Sequence, residues 1–123
     1  MGKMVLLIES DSELASVIQM ILVDGGLDVV KSSLETYFDD VHKYAPDVVM
    51  VDEWRAGSTI CRASKKNPAT QNIPVILTST QDNLRQIARK CQADDVLAKP
   101  FEIDDLQSKV LRCAEAHAKA LLN

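Results

Sequence analysis

Cysteine is scarce in this chain. Cys61, Cys91 and Cys113 are the only three in 123 residues, an odd number at wide spacing with no CxxC pair. That argues against a disulfide frame or a zinc site and suits reduced thiols in a cytoplasmic protein, each filling a small core or surface position. An excess of positive charge is also lacking. Fourteen Lys and Arg against eighteen Asp and Glu leave a net charge of −4. Such a chain has no electrostatic footprint for nucleic acid and no attraction to an anionic membrane surface. Long hydrophobic runs are missing too. The apolar start, Met1 to Ile8, stops at Glu9, which is too short to span a bilayer and carries no signal-cleavage pattern. Met1-Gly2 is not followed by the Ser or Thr of a myristoylation signal. There is no glycine-rich phosphate loop, no GxSxG elbow, no internal repeat and no linker-like tract. The length therefore reads as one domain, residues 1–123, able to bury a core without staples.

What is present is a series of short apolar runs alternating with amphipathic stretches. Val5–Ile8 is continuous and apolar, as in a strand buried on both faces. Ser10 stands three residues before Glu13, a capping-box spacing, and Leu14, Val17, Ile18, Ile21 and Leu22 then recur at helical period up to Gly25-Gly26. Leu27–Lys31 is a second short strand. Leu34, Tyr37, Phe38, Val41 and Tyr44 predict a helix that Pro46 stops. Asp47–Asp52 is the most central-looking strand, and Ile60–Lys66 carries a weak helical pattern. Pro74–Thr78 predicts a fourth strand; Leu84, Ile87, Ala88 and Cys91 mark a short helix; Asp95–Ala98 is a fifth strand. Ile103, Leu106, Val110, Ala114, His117 and Leu121 stripe a long last helix. Such alternation predicts a three-layer α/β fold, a doubly wound parallel sheet with helices on both faces.

Right-handed crossovers bring the downstream ends of all parallel strands to one edge, where ligands of open α/β sheets bind. Four polar residues fall at such ends: Glu9, Asp52, Ser79 and Lys99. Singly, Asp52 reads as a turn or cap residue, Lys99 as a solvated loop residue and Ser79 as a hydroxyl near a helix start. Together they suit a divalent cation and a phosphoryl group. The Asp52 carboxylate is a nucleophile able to form an acyl phosphate. Lys99 would neutralise one phosphoryl oxygen and Ser79 donate to another, while Glu9 would hold Mg²⁺ directly or through water.

Four segments carry a resemblance that spans the chain from Val5 to about Leu111: Val5–Leu14 (VLLIESDSEL), Pro46–Asp52 (PDVVMVD), Ile73–Thr80 (IPVILTST) and Ala93–Phe101 (ADDVLAKPF). They are similar to the receiver domains of two-component response regulators, and the last segment is the most specific. The resemblance implies a flavodoxin-like sheet of order 2-1-3-4-5. It implies a cytoplasmic signalling module, not an enzyme, that accepts a phosphoryl group on Asp52 with Mg²⁺ from a sensor histidine kinase or phosphotransfer protein. Lys99 would then be the paired lysine, preceding a cis Pro100, and Ser79 the phosphate-sensing hydroxyl. A downstream protein target would dock on the last two helices and strand five.

The departures from that pattern bear on the metal. The family shows two adjacent acids after strand one; here they are Glu9 and Ser10, and a serine hydroxyl is a poorer ligand for a hard cation. Asp11 is a further candidate ligand, Ser10 doubles as a helix cap, and the metal set becomes Glu9, Asp52 and the Trp54 backbone carbonyl, with Ser10 or Asp11 as additions. Mg²⁺ binding is expected to be weakened. The loop after Asp52 is about three residues short against the family pattern. Trp54 would either cover the site or pack on that loop. Val96 stands where the family often has a switch aromatic, and Gln92 where it has glycine. His42 and His117 read as packing or surface residues. The rival expectation is a pseudo-receiver, a phosphorylation-independent interaction module on the same fold. A small flavodoxin-like phosphatase or flavin carrier is disfavoured by the missing loop motifs.

Overall fold

Each short apolar run identified above becomes one strand in the computed structural model, which describes residues 2–52 and 57–122. In chain order the elements are β1 (Met4–Ile8), α1 (Ser12–Asp24), β2 (Asp28–Lys31), α2 (Tyr37–Tyr44), β3 (Val48–Asp52), α3 (Gly57–Lys66), β4 (Val75–Ser79), α4 (Leu84–Cys91), β5 (Asp95–Ala98) and α5 (Ile103–Ala120). The sheet runs β2-β1-β3-β4-β5 with every pair parallel. The order and the five-strand, five-helix alternation match the expectation.

The strands are apolar throughout because both faces are covered. Leu6, Ile8, Val49, Val51, Val75, Leu77 and Val96 turn toward α2, α3 and α4, where Tyr37, Val41, Ile60, Cys61, Leu84 and Ala88 meet them. The alternate residues Val5, Leu7, Val48, Met50, Ile76 and Leu97 turn toward α1 and α5, against Ile18, Leu22, Leu106, Val110 and Ala114. A buried Leu such as Leu106 contributes about 1.5–3 kcal/mol by leaving water. At the outer edge, β2 is short and begins and ends on exposed charges, Asp28 and Lys31, which discourages further strand pairing.

Several boundaries differ from the sequence expectation, each for a physical reason. The cap of α1 is Asp11, not Ser10: its backbone is extended and its carboxylate accepts from the Glu13 and Leu14 amides at 3.0 and 3.1 Å. The Ser10 hydroxyl donates instead to Asp52 Oδ2 at 2.9 Å. α1 ends as expected at Gly25-Gly26, with Gly26 at φ 91°. α2 starts at Tyr37 rather than Leu34, because the preceding hydroxyls form their own turn: Ser33 Oγ accepts from the Thr36 amide at 3.2 Å, and Ser32 and Thr36 donate to Asp40 at 2.6 and 2.8 Å. These bonds hold the Asp40 carboxyl below its ordinary pKa. α3 runs three residues further upstream than the pattern indicated, and β4 sits one residue downstream, so Ser79 closes it.

The stripe of α5 is narrower in use than in sequence. Leu106, Val110 and Ala114 are buried, but Ile103 is 58% exposed and Leu121 68%. An 18-residue helix is about 27 Å long, whereas a five-residue strand covers only about 17 Å, so both ends of α5 overhang the sheet. His117 packs, as expected, with Nδ1 3.2 Å from Asp47 Oδ1 at the sheet edge opposite the candidate site; Asp47 Oδ2 accepts from the Met4 amide at 2.9 Å. His42 is exposed. No described helix is long and apolar enough to cross a membrane.

Candidate functional site

Strand register places the site. Ile8 pairs with Val51, Asp52 with Thr78, and Ser79 with Ala98. Glu9 therefore follows the end of β1, Asp52 ends β3, Ser79 ends β4 and Lys99 follows β5, all at one sheet edge.

Lys99 is the hub. Its Nζ lies 2.8 Å from Glu9 Oε1 and donates to Asp52 Oδ1 at 3.1 Å. The Glu9 side chain is 2% exposed and that of Asp52 7%, so both carboxylates lie in a poorly solvated setting. Burial works against the Lys99 charge, but its hydrogen bonds to Glu9 and Asp52 and their negative charges outweigh that, and its pKa is held above the ordinary value. The second Glu9 oxygen accepts from the Asp11 amide at 3.2 Å. The second Asp52 oxygen accepts from the Ser10 hydroxyl at 2.9 Å. Each carboxylate oxygen of the pair thus has a donor from the chain itself.

Ser79 is tied to its own surroundings. Its carbonyl accepts from the Lys99 amide at 2.8 Å, and its hydroxyl accepts from the Gln81 amide at 2.9 Å, in the loop that leads to α4. The Lys99–Pro100 bond is cis, as the resemblance implied. Asp11 Oδ1 is turned to its capping bonds at the start of α1, while the Asp11 amide meets the Glu9 carboxylate. The Trp54 carbonyl lies outside the described residues.

Sequence reasoning missed Gly57. A Cβ at this position would overlap the Asp52 carbonyl oxygen and lie 2.9 Å from its carbonyl carbon, so the first turn of α3 seats directly on the Asp52 backbone. A glycine shortly after a strand-end acid was the only available signal. The reading of Ser10 as a cap also hid its bond to Asp52.

Among the described residues, no group of three or more His, Cys, Asp or Glu is placed to hold a metal. The donor set still fits Mg²⁺ in a limited way. Two hard carboxylates and a neutral hydroxyl meet at one edge, and Mg²⁺ commonly takes one or two carboxylates and keeps several waters. Any such ion competes with the Lys99 ammonium for Glu9 and Asp52.

The family model for the response regulator receiver domain matches residues 5–111. The chain belongs to that family, whose members serve two-component signalling. The DNA-binding dual master transcriptional regulator RpaA of Synechocystis sp. is 28% identical over 120 residues, covering 86% of this chain and 46% of that protein. The sensory transduction protein BceR of Halalkalibacterium halodurans is 30% identical over 112 residues, covering 86% of this chain and 47% of that protein. The chain thus spans about half the length of the curated relatives it matches. Among solved structures, the signal receiver domain of a signal transduction histidine kinase from Syntrophus aciditrophicus superposes with a TM-score of 0.82 at 26% identity, covering 94% of this chain and 92% of that one.

Proposed function

We propose that this chain, residues 1–123 as one unit, is the phosphoacceptor of a cytoplasmic two-component phosphorelay, with Asp52 as the acceptor. The observation that carries the reading is the contact of Lys99 with both Glu9 and Asp52 at 2.8 and 3.1 Å. In the transfer, the bond between phosphorus and a donor histidine nitrogen breaks as an Asp52 oxygen forms a bond to phosphorus. The imidazole leaves with the electron pair. Lys99 then neutralises a phosphoryl oxygen, and the Ser79 hydroxyl turns to donate to another. Mg²⁺, when bound by Glu9, Asp52 and waters, supplies further neutralisation of phosphoryl charge; the Trp54 carbonyl and the Ser10 hydroxyl are additional candidate oxygens.

The donor would be a sensor histidine kinase or a phosphotransfer protein, and the output a protein target rather than nucleic acid or membrane. The proposed docking face is the groove of about 730 Å³ between α4 and α5, where Val96 of β5 lies with Arg85, Arg89 and Lys109. The module is not itself an enzyme on this reading.

One observation favours the alternative of a pseudo-receiver: Ser10 replaces an acid, and its hydroxyl occupies the Asp52 oxygen at 2.9 Å. The deciding test is mass spectrometry after incubation with Mg²⁺ and acetyl phosphate. A single phosphoryl adduct that is lost in Asp52→Asn supports the phosphoacceptor. No adduct, together with no fluorescence response of Trp54 to Mg²⁺ or beryllofluoride, supports the pseudo-receiver.

A further inference from the structure

Two of the three thiols, 30 residues apart in sequence, meet in space. Cys61 lies within α3 and Cys91 is the last residue of α4; they are 0% and 1% exposed. The Cys61 Sγ donates to the Cys91 carbonyl oxygen at 3.4 Å, which seats the Cys61 side chain against the Cys91 residue. The Cys91 thiol leans on its own helix, 3.6 Å from the Ala88 carbonyl oxygen. Cys113, on α5, packs against the cluster on the opposite face of the sheet. The wide sequence spacing that argued against any pairing is therefore removed by the α3–α4 packing.

We propose that Cys61 and Cys91 form a redox pair, closed to an intrachain disulfide by a small-molecule disulfide such as oxidised glutathione. The thiolate of Cys91 attacks one glutathione sulfur, forming a mixed disulfide and releasing one glutathione thiolate. The thiolate of Cys61 then attacks the Cys91 sulfur, forming the Cys61–Cys91 bond and releasing the second glutathione. Two thiols are oxidised, one glutathione disulfide is reduced, and two protons leave.

Cys91 is the first to react because it sits at a helix end, where the backbone opens before the helix interior does. The adjoining Gln92 caps the helix in a left-handed conformation at φ 65°, which costs a residue with a Cβ about 1–2 kcal/mol. Burial, and next the Cys91 thiol beside it, raise the Cys61 pKa well above that of an ordinary thiol. Closure therefore waits on opening of the last turn of α4, and the oxidation rate reports that opening. On the proposed function α4 borders the output face, so the bridge would tie that face to α3; this consequence rests on that reading.

The test is incubation of the full chain with oxidised glutathione, alkylation of remaining thiols and peptide mapping. Expected is a Cys61–Cys91 cross-linked peptide, with closure faster in sub-denaturing urea and hydrogen exchange across α4 slower in the oxidised protein. Cys61→Ser should trap glutathione on Cys91, and Cys91→Ser should leave Cys61 unmodified. The wild-type map stands even if either variant fails to fold. Modification confined to Cys113, or Cys61 and Cys91 both alkylated after the folded protein has been exposed to oxidant, overturns the proposal. No phosphoryl donor is used, so failure here is distinguishable from failure of the Asp52 reading.

Discussion

Substituting Ser10 by Asp restores the acid that the receiver family places there, and its two effects on the protein should have opposite signs. The resting site holds two carboxylates, Glu9 and Asp52, against one ammonium, Lys99. Their charges sum to −1; Ser10→Asp takes the sum to −2. The variant also loses the hydroxyl that donates to Asp52 Oδ2 at 2.9 Å. A hydrogen bond to a charged group contributes about 1.5–3 kcal/mol. Two like charges about 4 Å apart repel by ~1 kcal/mol in water and ~4 kcal/mol at an effective dielectric constant of 20. Without divalent cation, Ser10→Asp should therefore be less stable than the parent by roughly 2.5–4 kcal/mol, taking the hydrogen bond and the water-screened repulsion together. With Mg²⁺ the added carboxylate becomes a ligand, and affinity should rise by about tenfold or more, a gain of ~1.4 kcal/mol. Ser10→Ala separates the two effects, losing the hydrogen bond with no gain in affinity. Urea unfolding with and without Mg²⁺, alongside calorimetric titration, measures both. If Ser10→Asp binds Mg²⁺ no better than the parent, the hydroxyl is not what weakens the site. If it is fully stable without metal, the accounting of charge around Asp52 is wrong.

Three further outcomes follow from the same geometry. Gln92 caps α4 at φ 65°, so Gln92→Gly should stabilise the protein by about 1 kcal/mol; an unchanged or lower unfolding midpoint in urea would show that the side chain earns its place by other contacts. Gly57→Ala should force α3 away from Asp52, lowering stability by about 1–3 kcal/mol as overpacking does and slowing acetyl-phosphate labelling; a variant unaffected in both would refute the close approach. Because the Lys99 pKa is raised in the folded state from 10.5, its contribution is complete below that value and disappears as pH rises through the folded value. The stability of the parent should thus fall at alkaline pH more steeply than that of Lys99→Met, with equal slopes in chemical denaturation refuting it.

The strands were legible because a parallel sheet covered on both faces demands uninterrupted apolar runs, and Val5–Ile8 and Val48–Val51 have the length and the β-branched residues of such strands. Helices were legible where packing and period agree, as at Leu106, Val110 and Ala114. α3 was faint because its first turn, Gly57-Ser58-Thr59, consists of poor helix formers; burial of Ile60, Cys61 and Ser64 holds it instead, with Thr70 Oγ1 donating to the Ser64 carbonyl at 2.8 Å. The choice between Ser10 and Asp11 as cap could not be made locally, since both are capping residues. What separates them is Asp52, 42 residues from Ser10, which takes the Ser10 hydroxyl and leaves Asp11 to the helix. The same limit hid the Cys61–Cys91 contact. Residue type and spacing identify candidates, but a bond across elements belongs to the tertiary packing.

That packing also constrains how a phosphoryl group on Asp52 would be felt elsewhere. Val96 is small and buried, so no aromatic ring at this position can swing between two packings. Its carbonyl is held by Lys109 Nζ at 2.7 Å, and that ammonium also lies 3.7 Å from Asp95, so β5 and α5 are fastened together on this side. The movable part is the loop after β4. At rest the Ser79 hydroxyl accepts from the Gln81 amide. If that hydroxyl rotates to donate to a phosphoryl oxygen, it withdraws from Gln81, and an amide at the approach to α4 loses its acceptor. Leaving such a donor unsatisfied costs about 1–3 kcal/mol, enough to favour a new arrangement of the loop. Signal would then leave the site through the start of α4 rather than through a ring on β5, while Lys99, whose amide remains on the Ser79 carbonyl, keeps the strand ends in register.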